Sequence, residues 1–300
     1  MTTALRRDAA TVLATHSLEP ERCELFVEGP EDRRVLTWLS GSRMHAHAYV
    51  SEADAIDVPG VTTGGQRARL IAFSRLIEAE PKVRVFIDAD IHLFEEGPGD
   101  LPTNVWYTDG LSLESYVLTE ACVEKFLRLG LRDDRRDAAS LLARVLELGR
   151  RLFLFRLVSY RQALDLPFQT TRLERHVTVS GSDISLDERR IAQAILQNAG
   201  RNQGGAEALL DAVEEAAAAL GTLPNEHTVH GKDAFLLLGE VARECGASRN
   251  EVSRLLWTTL ERGMAGDFPT LSQVLHFLET CDAEVTQAES AEGVVPLAIR

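Results

Sequence analysis

The 300-residue chain has few of the features that would set it apart from ordinary globular proteins. Its four cysteines, Cys23, Cys122, Cys245 and Cys281, form no CxxC pair and no zinc-type spacing, which excludes a zinc module and a disulfide-stapled miniprotein. We predict that all four are buried thiols of a reducing compartment. Aromatic residues make up only 6% of the chain, but 45% of its residues are hydrophobic, which is too many for intrinsic disorder.

Long apolar runs and an excess of positive charge are also missing. No apolar run approaches the roughly 20 residues that cross a bilayer, and the first residues lack the apolar core of a signal peptide. A cytoplasmic protein without a membrane partner is therefore expected. Thirty-two Lys and Arg oppose 46 Asp and Glu, a formal net charge of −14. Any contact with nucleic acid must accordingly be local, metal-assisted or partner-assisted.

Short apolar segments alternate with helical patterns over the first 130 residues. Four segments have the length and residue types of strands, at 23–27, 46–58, 83–87 and 105–108. Helical patterns lie around and between them, at 3–16, from Pro30, at 66–79 and from Leu113. This alternation predicts an α/β fold in residues 1–130, with a mostly parallel sheet flanked by helices.

Residues 131–300 are predicted to be mainly helical. A long apolar helix is expected at 138–166 and a small β-hairpin near 176–186. Further helical patterns lie at 188–198, 206–219, 234–244, 249–262 and 271–281. The helices at 234–244 and 249–262 have the outline of a helix-turn-helix, although plain packing hairpins of this shape are far commoner.

Acidic side chains follow the predicted strands at non-random places. Glu28 follows the first strand and Asp32 lies one helical turn later; Asp88 and Asp90 follow the strongest strand; Glu114 lies just past another. Ligands of open α/β sheets bind at the carboxyl ends of the strands, so these side chains can converge on one crevice. Clustered carboxylates favour a hard divalent cation, Mg²⁺ or Mn²⁺. Two such ions can hold both oxygens of an in-line displacement, so hydrolysis of a nucleic-acid backbone is predicted.

The same residues resemble a known family. The segment LFVEG at 25–29 with Asp32, followed by VFIDAD at 85–90, is similar to the TOPRIM motif, in which a strand-borne Glu-Gly precedes a strand-borne Asp-x-Asp. The segment TDGLSLESY at 108–116 resembles TOPRIM proteins related to the OLD nucleases, which include stand-alone TOPRIM effectors of bacterial anti-phage systems. The resemblance covers about residues 23–120.

The resemblance implies a Mg²⁺-dependent (or Mn²⁺-dependent) endonuclease that cuts DNA or RNA, tRNA included, as the effector of an antiviral defence system. It implies that Glu28 is a metal ligand and an acid or base, and that Asp88 and Asp90 are catalytic metal ligands. It further implies that Asp32 and Glu114 hold a second ion.

Two further implications concern residues outside the best-matching part. A weaker extension at 231–233 implies that Lys232 stabilises charge on the phosphate during catalysis. OLD proteins carry an ATPase in the same chain, whereas this chain has no GxxxxGK[ST] motif, so a separate ATPase partner is expected. TOPRIM topoisomerases and primases carry zinc modules that these cysteines cannot supply. A homo-oligomer is compatible with the sequence.

Each candidate residue also has a structural alternative. Asp32 could simply favour the helix dipole, and Glu114 could be a solvated residue in a first helical turn. Lys232 could be an ordinary exposed lysine. For Glu28 and Asp88 the alternative is a structural salt bridge, for which three arginines are available, Arg33, Arg67 and Arg84.

Two other function classes stay open on the residues alone. One is a transferase that uses the Asp-x-Asp at 88–90 to hold a metal-nucleotide, although Glu28 has no role in it. The other is a non-catalytic module that keeps the fold and docks on an ATPase partner.

The arginine-rich stretch at 132–161 could track phosphates or form a solvated face. Tyr116 and Trp106 are predicted to be core residues, and the His45-x-His47 and His227-x-x-His230 spacings are not expected to bind metal.

Overall fold

A computed structural model of the chain describes residues 6–61, 65–91, 95, 101–181, 183–202, 205–221 and 228–282. They divide into two compact units: the described residues of 1–113 and 261–300 form the first, and those of 114–260 form the second. The division predicted after residue 130 differs from this arrangement in two ways. The first boundary lies after residue 113, and the helix Pro269–Thr280 returns to the first unit. No helix in the described part of the chain is long and apolar enough to span a membrane.

The first unit is built on a four-stranded parallel sheet. Its strands are β1 (Cys23–Val27), β2 (Ala48–Glu52), β3 (Val83–Ile87) and β4 (Val105–Tyr107). They lie in the order β2-β1-β3-β4, and every neighbouring pair is parallel. All five residues of β1 are buried, as expected for a central strand covered on both faces. The predicted α/β class is confirmed.

Helices flank this sheet, at Ala9–Leu18, Pro30–Ser40, Gly65–Leu76 and Pro269–Thr280. The helix Pro30–Ser40 begins where the sequence predicts, because a proline is tolerated in the first turn, where an amide hydrogen has no partner within the helix. The helix Gly65–Leu76 packs on the sheet through Phe73, whose ring meets that of Phe26 edge-on, with the ring centroids 4.9 Å apart.

A carboxylate lies inside the first unit. The side chain of Glu24, in β1, is fully buried and accepts two hydrogen bonds from Arg7, at 3.1 and 2.5 Å, and one from the Ser51 hydroxyl. Arg22 and His16 place nitrogens 3.6 and 3.8 Å from Glu24 Oε2. Burial by itself would raise the pKa of Glu24, but the interactions with His16, Arg7 and Ser51 outweigh it and lower the pKa to about 2.

The structure corrects the prediction that all four cysteines are thiols. Cys23, the first residue of β1, and Cys281, which follows the helix Pro269–Thr280, form a disulfide with Cα atoms 5.5 Å apart. Because 258 positions separate them in sequence, no local spacing could indicate the pair. Cys122 and Cys245 are thiols; Cys122 is buried as predicted, whereas Cys245 is half-buried.

The second unit is mainly helical, as predicted. Its longest helix is Ala138–Arg161, and β5 (Val177–Ser180) pairs antiparallel with β6 (Asp183–Leu186) at the expected hairpin. Shorter helices follow, at Glu188–Asn198, Ala206–Leu220, Gly231–Glu244 and Val252–Trp257. The helix predicted over 249–262 is thus only six residues of α-helix preceded by a 3₁₀ turn, which is short for a recognition helix.

The arginine-rich stretch at 132–161 is largely occupied inside the second unit. Several of its guanidinium groups are bound to carboxylates, with Arg136 on Asp133, Arg151 on Glu188 and Arg156 on Asp233. These pairs hold elements of the unit together, and the same guanidinium groups are correspondingly less available for a phosphate backbone.

Replacing Glu24 with Gln should lower the free energy of unfolding by about 3 kcal/mol, because Arg7 and Arg22 would lose their buried counter-charge. The pKa of Glu24 is lowered from the ordinary value of a glutamate to about 2, so the stability it contributes is complete above about pH 5 and is lost as pH falls toward 2. Denaturant titrations at pH 7 and pH 3 test both points, and the variant should lose less stability on acidification than the wild type.

The matched control is Glu19→Gln, which removes an exposed carboxylate paired with Arg22 at 3.1 Å. This change should cost less than about 1 kcal/mol. Equal costs at positions 19 and 24 would contradict the assignment of Glu24 as a structural charge.

Candidate functional site

The strand order places two predicted site residues at one point of the sheet. The chain passes from β1 to β2 on one side and from β3 to β4 on the other, so β1 and β3 are neighbours at the place where the strand order reverses. Glu28 follows β1 and Asp88 follows β3, and in parallel strands both positions lie at the same carboxyl edge. In open α/β sheets this is where the ligand crevice forms.

Glu28 and Asp88 are in direct contact. The register pairs Val27 with Phe86, and one step beyond it the backbone N–H of Asp88 donates to Glu28 Oε1 at 3.1 Å. Both side chains are half-buried. The contact fixes the Glu28 carboxylate against the start of the Asp-x-Asp turn, although 60 positions separate the two residues in sequence.

The turn that carries the Asp-x-Asp is held by the segment after β4. The hydroxyl of Thr108 accepts a hydrogen bond from the Ala89 N–H at 3.0 Å and donates to the Gly110 carbonyl at 2.7 Å. Asp88 Oδ1 accepts from the Leu113 N–H at 2.8 Å. The segment 108–113, which begins the TDGLSLESY stretch, therefore positions Asp88 from the side opposite to Glu28.

Asp90 adopts a left-handed backbone conformation, with φ of 52°. Its N–H donates to the Leu111 carbonyl at 2.8 Å, and its Oδ1 accepts from the N–H of the next residue, Ile91, at 2.7 Å. Asp is one of the residues that tolerate this conformation, since its short side chain bonds to the local backbone. The Asp90 carboxylate thus stabilises the turn through one oxygen.

Asp32 has the structural role that the sequence left open. Its Oδ2 accepts the backbone N–H of Gly29 at 2.9 Å, which completes a capping box at the start of the helix Pro30–Ser40. The bond fixes the backbone of Gly29, the residue after Glu28. Asp32 therefore lies beside the candidate site and orients the chain at it.

The three arginines considered as partners for Glu28 or Asp88 each have a described contact with another group. Arg33 binds Glu52 at 2.7 Å, and Arg84 lies over the ring of Trp106, 5.6 Å from its centroid. Arg67 donates to the backbone carbonyl of Asp88 and lies 5.9 Å from the centroid of the Tyr107 ring.

Arg67 is the cation nearest to the Asp-x-Asp turn for which a contact is described. Burial raises the pKa of Tyr107, and the positive charge of Arg67 partly offsets this effect. The resulting pKa is about 12, so the phenol stays protonated at neutral pH. The edge of the sheet therefore combines carboxylates with one guanidinium, a mixture that can hold a cation and a phosphate side by side.

The carboxylates at this edge limit which metal ion could bind here. Among the described residues, no group of three or more His, Cys, Asp or Glu side chains comes close enough to form a protein cage for a metal. Glu28 and Asp88 bring two carboxylates to the same edge of the sheet. Mg²⁺ is commonly held by one or two carboxylates and keeps several waters, whereas Ca²⁺ and Zn²⁺ need more protein ligands. Two carboxylates are thus enough for a hydrated Mg²⁺ ion but not for a closed protein cage.

The remaining predicted residues belong to the second unit. Glu114 lies in the 3₁₀ turn Leu113–Val117 with 9% of its surface exposed. Lys232 is exposed in the first turn of the helix Gly231–Glu244, so it is a helical residue and not a loop residue.

Sequence reasoning missed two residues that support the site. Thr108 was noted only as part of a motif, yet its hydroxyl organises the Asp-x-Asp turn. Asp109 accepts the backbone N–H groups of Thr270 and Leu271, at 2.9 and 3.1 Å, and so ties the same segment to the helix Pro269–Thr280. A carboxylate that caps a helix about 160 residues away leaves no local signal in the sequence. Tyr116 and Trp106 are buried, as predicted.

Replacing Thr108 with Val should lower the free energy of unfolding by about 1–3 kcal/mol, because the Ala89 N–H would lose its partner in a nearly dry environment. Thr103→Val is the matched control, at an exposed position just before β4 in the chain. It should change stability by less than about 0.5 kcal/mol. Denaturant titration measures both, and a neutral Thr108 variant would show that the turn does not depend on this hydroxyl.

Two comparisons with known proteins gave no match. No protein-family model matches the chain. A comparison with curated proteins also gave no significant match. The resemblance to the TOPRIM proteins thus depends on the residues quoted above, and all that it implies about family and activity stays a prediction.

Proposed function

We propose that the protein is a Mg²⁺-dependent nuclease of the TOPRIM type that hydrolyses phosphodiester bonds. The observation that carries the proposal is the contact of Glu28 with the Asp88 backbone at the switch point of the parallel sheet. Two carboxylates at this edge, with Arg67 beside them, suit a cation and an anionic substrate.

Each residue has a defined task in this proposal. Glu28 and Asp88 bind the ion through their carboxylate oxygens, and Asp90 holds the turn on which Asp88 stands. When bound, Mg²⁺ neutralises charge on the phosphodiester and increases the acidity of a bound water. Glu28 is the group that takes a proton from the attacking water, since its carboxylate lies at the carboxyl edge of the sheet, where the substrate would bind.

The charge of the chain constrains how a substrate reaches this site. A net charge of −14 gives no general attraction for a polyanion, so binding depends on a few local contacts. We propose that a separate ATPase partner delivers or licenses the substrate, in keeping with the absence of a phosphate-binding loop motif in the sequence. The cytoplasm, where nucleic acids and such a partner are found together, is the proposed location.

An exposed tryptophan on the first helix after β1 offers such a local contact. Trp38 is 68% exposed, and Arg34, one turn before it on the same face of the helix Pro30–Ser40, is also exposed. Trp38 lies eight residues from the start of this helix, about 12 Å along its axis, and the start adjoins Glu28. An exposed aromatic beside a guanidinium suits an unpaired base and its phosphate.

The first test is cleavage of three kinds of substrate in the presence of Mg²⁺ or Mn²⁺: single-stranded DNA or RNA, supercoiled DNA, and transfer RNA. Glu28→Gln and Asp88→Asn should each reduce the rate at least about 100-fold, because each removes a charged ligand. The control Glu31→Gln removes an exposed carboxylate from the same stretch of chain and should leave the rate within about twofold. Cleavage that persists in both site variants would contradict the proposal.

Metal binding provides a readout that does not depend on a partner. At a tenfold excess of Mg²⁺ over its Kd, the wild type should gain about 1.4 kcal/mol of stability. Glu28→Gln and Asp88→Asn should abolish the rise in melting temperature, while Glu31→Gln should retain it. A wild type that gains no stability from Mg²⁺ or Mn²⁺, and cuts no substrate, would favour the alternative of a non-catalytic module.

The role of Trp38 is tested by binding of a fluorescent single-stranded oligonucleotide to the Glu28→Gln protein, which should bind without cutting. Trp38→Ala should weaken binding about tenfold, because stacking of one base contributes about 1–3 kcal/mol. Trp38→Phe should recover much of the loss, since it keeps an aromatic face. Equal affinities for all three proteins would remove Trp38 from the substrate path.

A further inference from the structure

The two cysteines of the Cys23–Cys281 disulfide differ in exposure. Cys23 is fully buried in β1, whereas Cys281 keeps 7% of its surface exposed and lines a shallow pocket on the surface of the first unit. The pocket is also lined by polar side chains, namely Glu21, His45, His47, Lys82 and Thr280. Among the described residues, Cys281 therefore offers a reagent in solution the more open side of the bond.

His45 is placed to exchange a proton with Cys281. Its Nδ1 lies 3.3 Å from Cys281 Sγ. The His45 N–H donates to the Leu278 carbonyl at 2.9 Å, which fixes this residue on the helix that ends before Cys281. The His47 N–H donates to His45 Nδ1 at 3.2 Å, so a neutral His45 carries its proton on Nε2 and has Nδ1, the nitrogen next to the sulfur, as its acceptor.

The charges around the pocket suit an incoming thiolate. Lys82 Nζ donates to the Pro20 carbonyl at 2.7 Å and keeps its charge at the pocket. Glu21 Oε2 lies 3.1 Å from His47 Nε2, so this carboxylate is bound to a side chain of the same pocket. A cation at the pocket attracts an approaching thiolate, and a histidine next to the sulfur speeds thiol exchange.

We propose that Cys281 is a thiol-exchange site, at which a small dithiol opens the Cys23–Cys281 disulfide with His45 as the proton partner of the Cys281 sulfur. The His45-x-His47 spacing is not expected to bind metal, and the structure assigns His45 the role of proton partner for the Cys281 sulfur. The inference does not depend on the proposed nuclease activity, because it concerns a different pocket and different residues.

The exchange proceeds in two balanced steps. One thiol of the dithiol gives its proton to His45 and attacks Cys281 Sγ; a mixed disulfide forms, the protein disulfide breaks, and Cys23 leaves as a thiolate that takes up this proton. The second thiol of the dithiol then attacks the other sulfur of the same dithiol, the one bonded to Cys281 in the mixed disulfide. It gives its proton to His45, and His45 passes the proton to the departing Cys281 sulfur. The dithiol is oxidised to a cyclic disulfide by two electrons, and the protein gains two thiols.

Opening the bond removes one of the attachments of the helix Pro269–Thr280. Asp109 holds the first turn of this helix through two backbone N–H groups, and the disulfide holds the residue after its last turn. Asp109 lies in the segment 108–113 that positions the Asp-x-Asp turn. Reduction should therefore loosen the end of the helix far from that turn first.

The first experiment counts thiols. The protein is treated with glutathione disulfide, unfolded in guanidinium chloride and titrated with a thiol reagent. We expect two reactive thiols, Cys122 and Cys245, and four after treatment with dithiothreitol. Peptide mapping of the oxidised protein should find the Cys23 and Cys281 peptides linked. Four thiols after oxidation, or a different linked pair, would overturn the inference.

The second experiment tests His45 by the rate at which dithiothreitol reduces the folded, oxidised protein at pH 7. His45→Gln should slow the reduction about tenfold, while the control His47→Gln, on the same edge of the pocket, should change it less than threefold. A variant that merely destabilised the fold would be reduced faster, so a slower rate reports the proton partner. Equal rates for wild type and His45→Gln would overturn the assignment of His45.

The third experiment follows amide hydrogen exchange of residues 269–281 in the oxidised and reduced protein. Exchange in the last turn of the helix should become at least tenfold faster on reduction, and Cys281→Ser should show the fast rate without any reductant. Exchange in the first turn, which Asp109 caps, should change less. Identical exchange in both redox states would show that the bond does not hold this helix.

Discussion

Strand β1 pairs in parallel with a neighbour on each side, and most of the first unit depends on that pairing. Its five residues are all buried, so the strand has no freedom to shift its register. Its first residue carries the disulfide, its second the buried carboxylate Glu24, and the residue after its end is Glu28. Because successive side chains point to opposite faces, Glu24 and Glu28 extend from the same face. One short segment thereby sets the position of three chemical features.

The two glutamates show how surroundings decide what a carboxylate does. Glu24 is surrounded by Arg7, Ser51, His16 and Arg22, and these contacts lower its pKa to about 2 and give it a structural role. Glu28, four residues later, accepts a backbone N–H at the carboxyl edge of the sheet. The proposed metal ion belongs to the second environment, because the carboxylate of the first is already bound by arginines. From composition alone the two residues are equivalent, and the sequence analysis singled out only the one at the strand end.

The parts of the fold that could be predicted are those that local chemistry determines. Apolar pentapeptides marked β1 and β3, and Pro30 marked a helix start, because burial and backbone geometry act over a few residues. The helix expected over 249–262 contained only Val252–Trp257 as α-helix, since periodicity alone does not fix where a helix ends. The arginine-rich stretch at 132–161 suggested a phosphate surface, but its charges are largely used in ion pairs within the second unit.

The sequence by itself determined the α/β class, the helical second part and the placement of Glu28 and Asp88 at strand ends, because strand length, hydrophobic periodicity and strand-exit position are local properties. Only the tertiary structure decided that β1 and β3 are neighbours, that Thr108 and Asp109 brace the Asp-x-Asp turn, and that Cys23 meets Cys281. These contacts join residues that lie from about 20 to 258 positions apart. Strand order and helix packing bring such residues together, and both follow from how the whole chain buries its apolar surface and not from any local pattern.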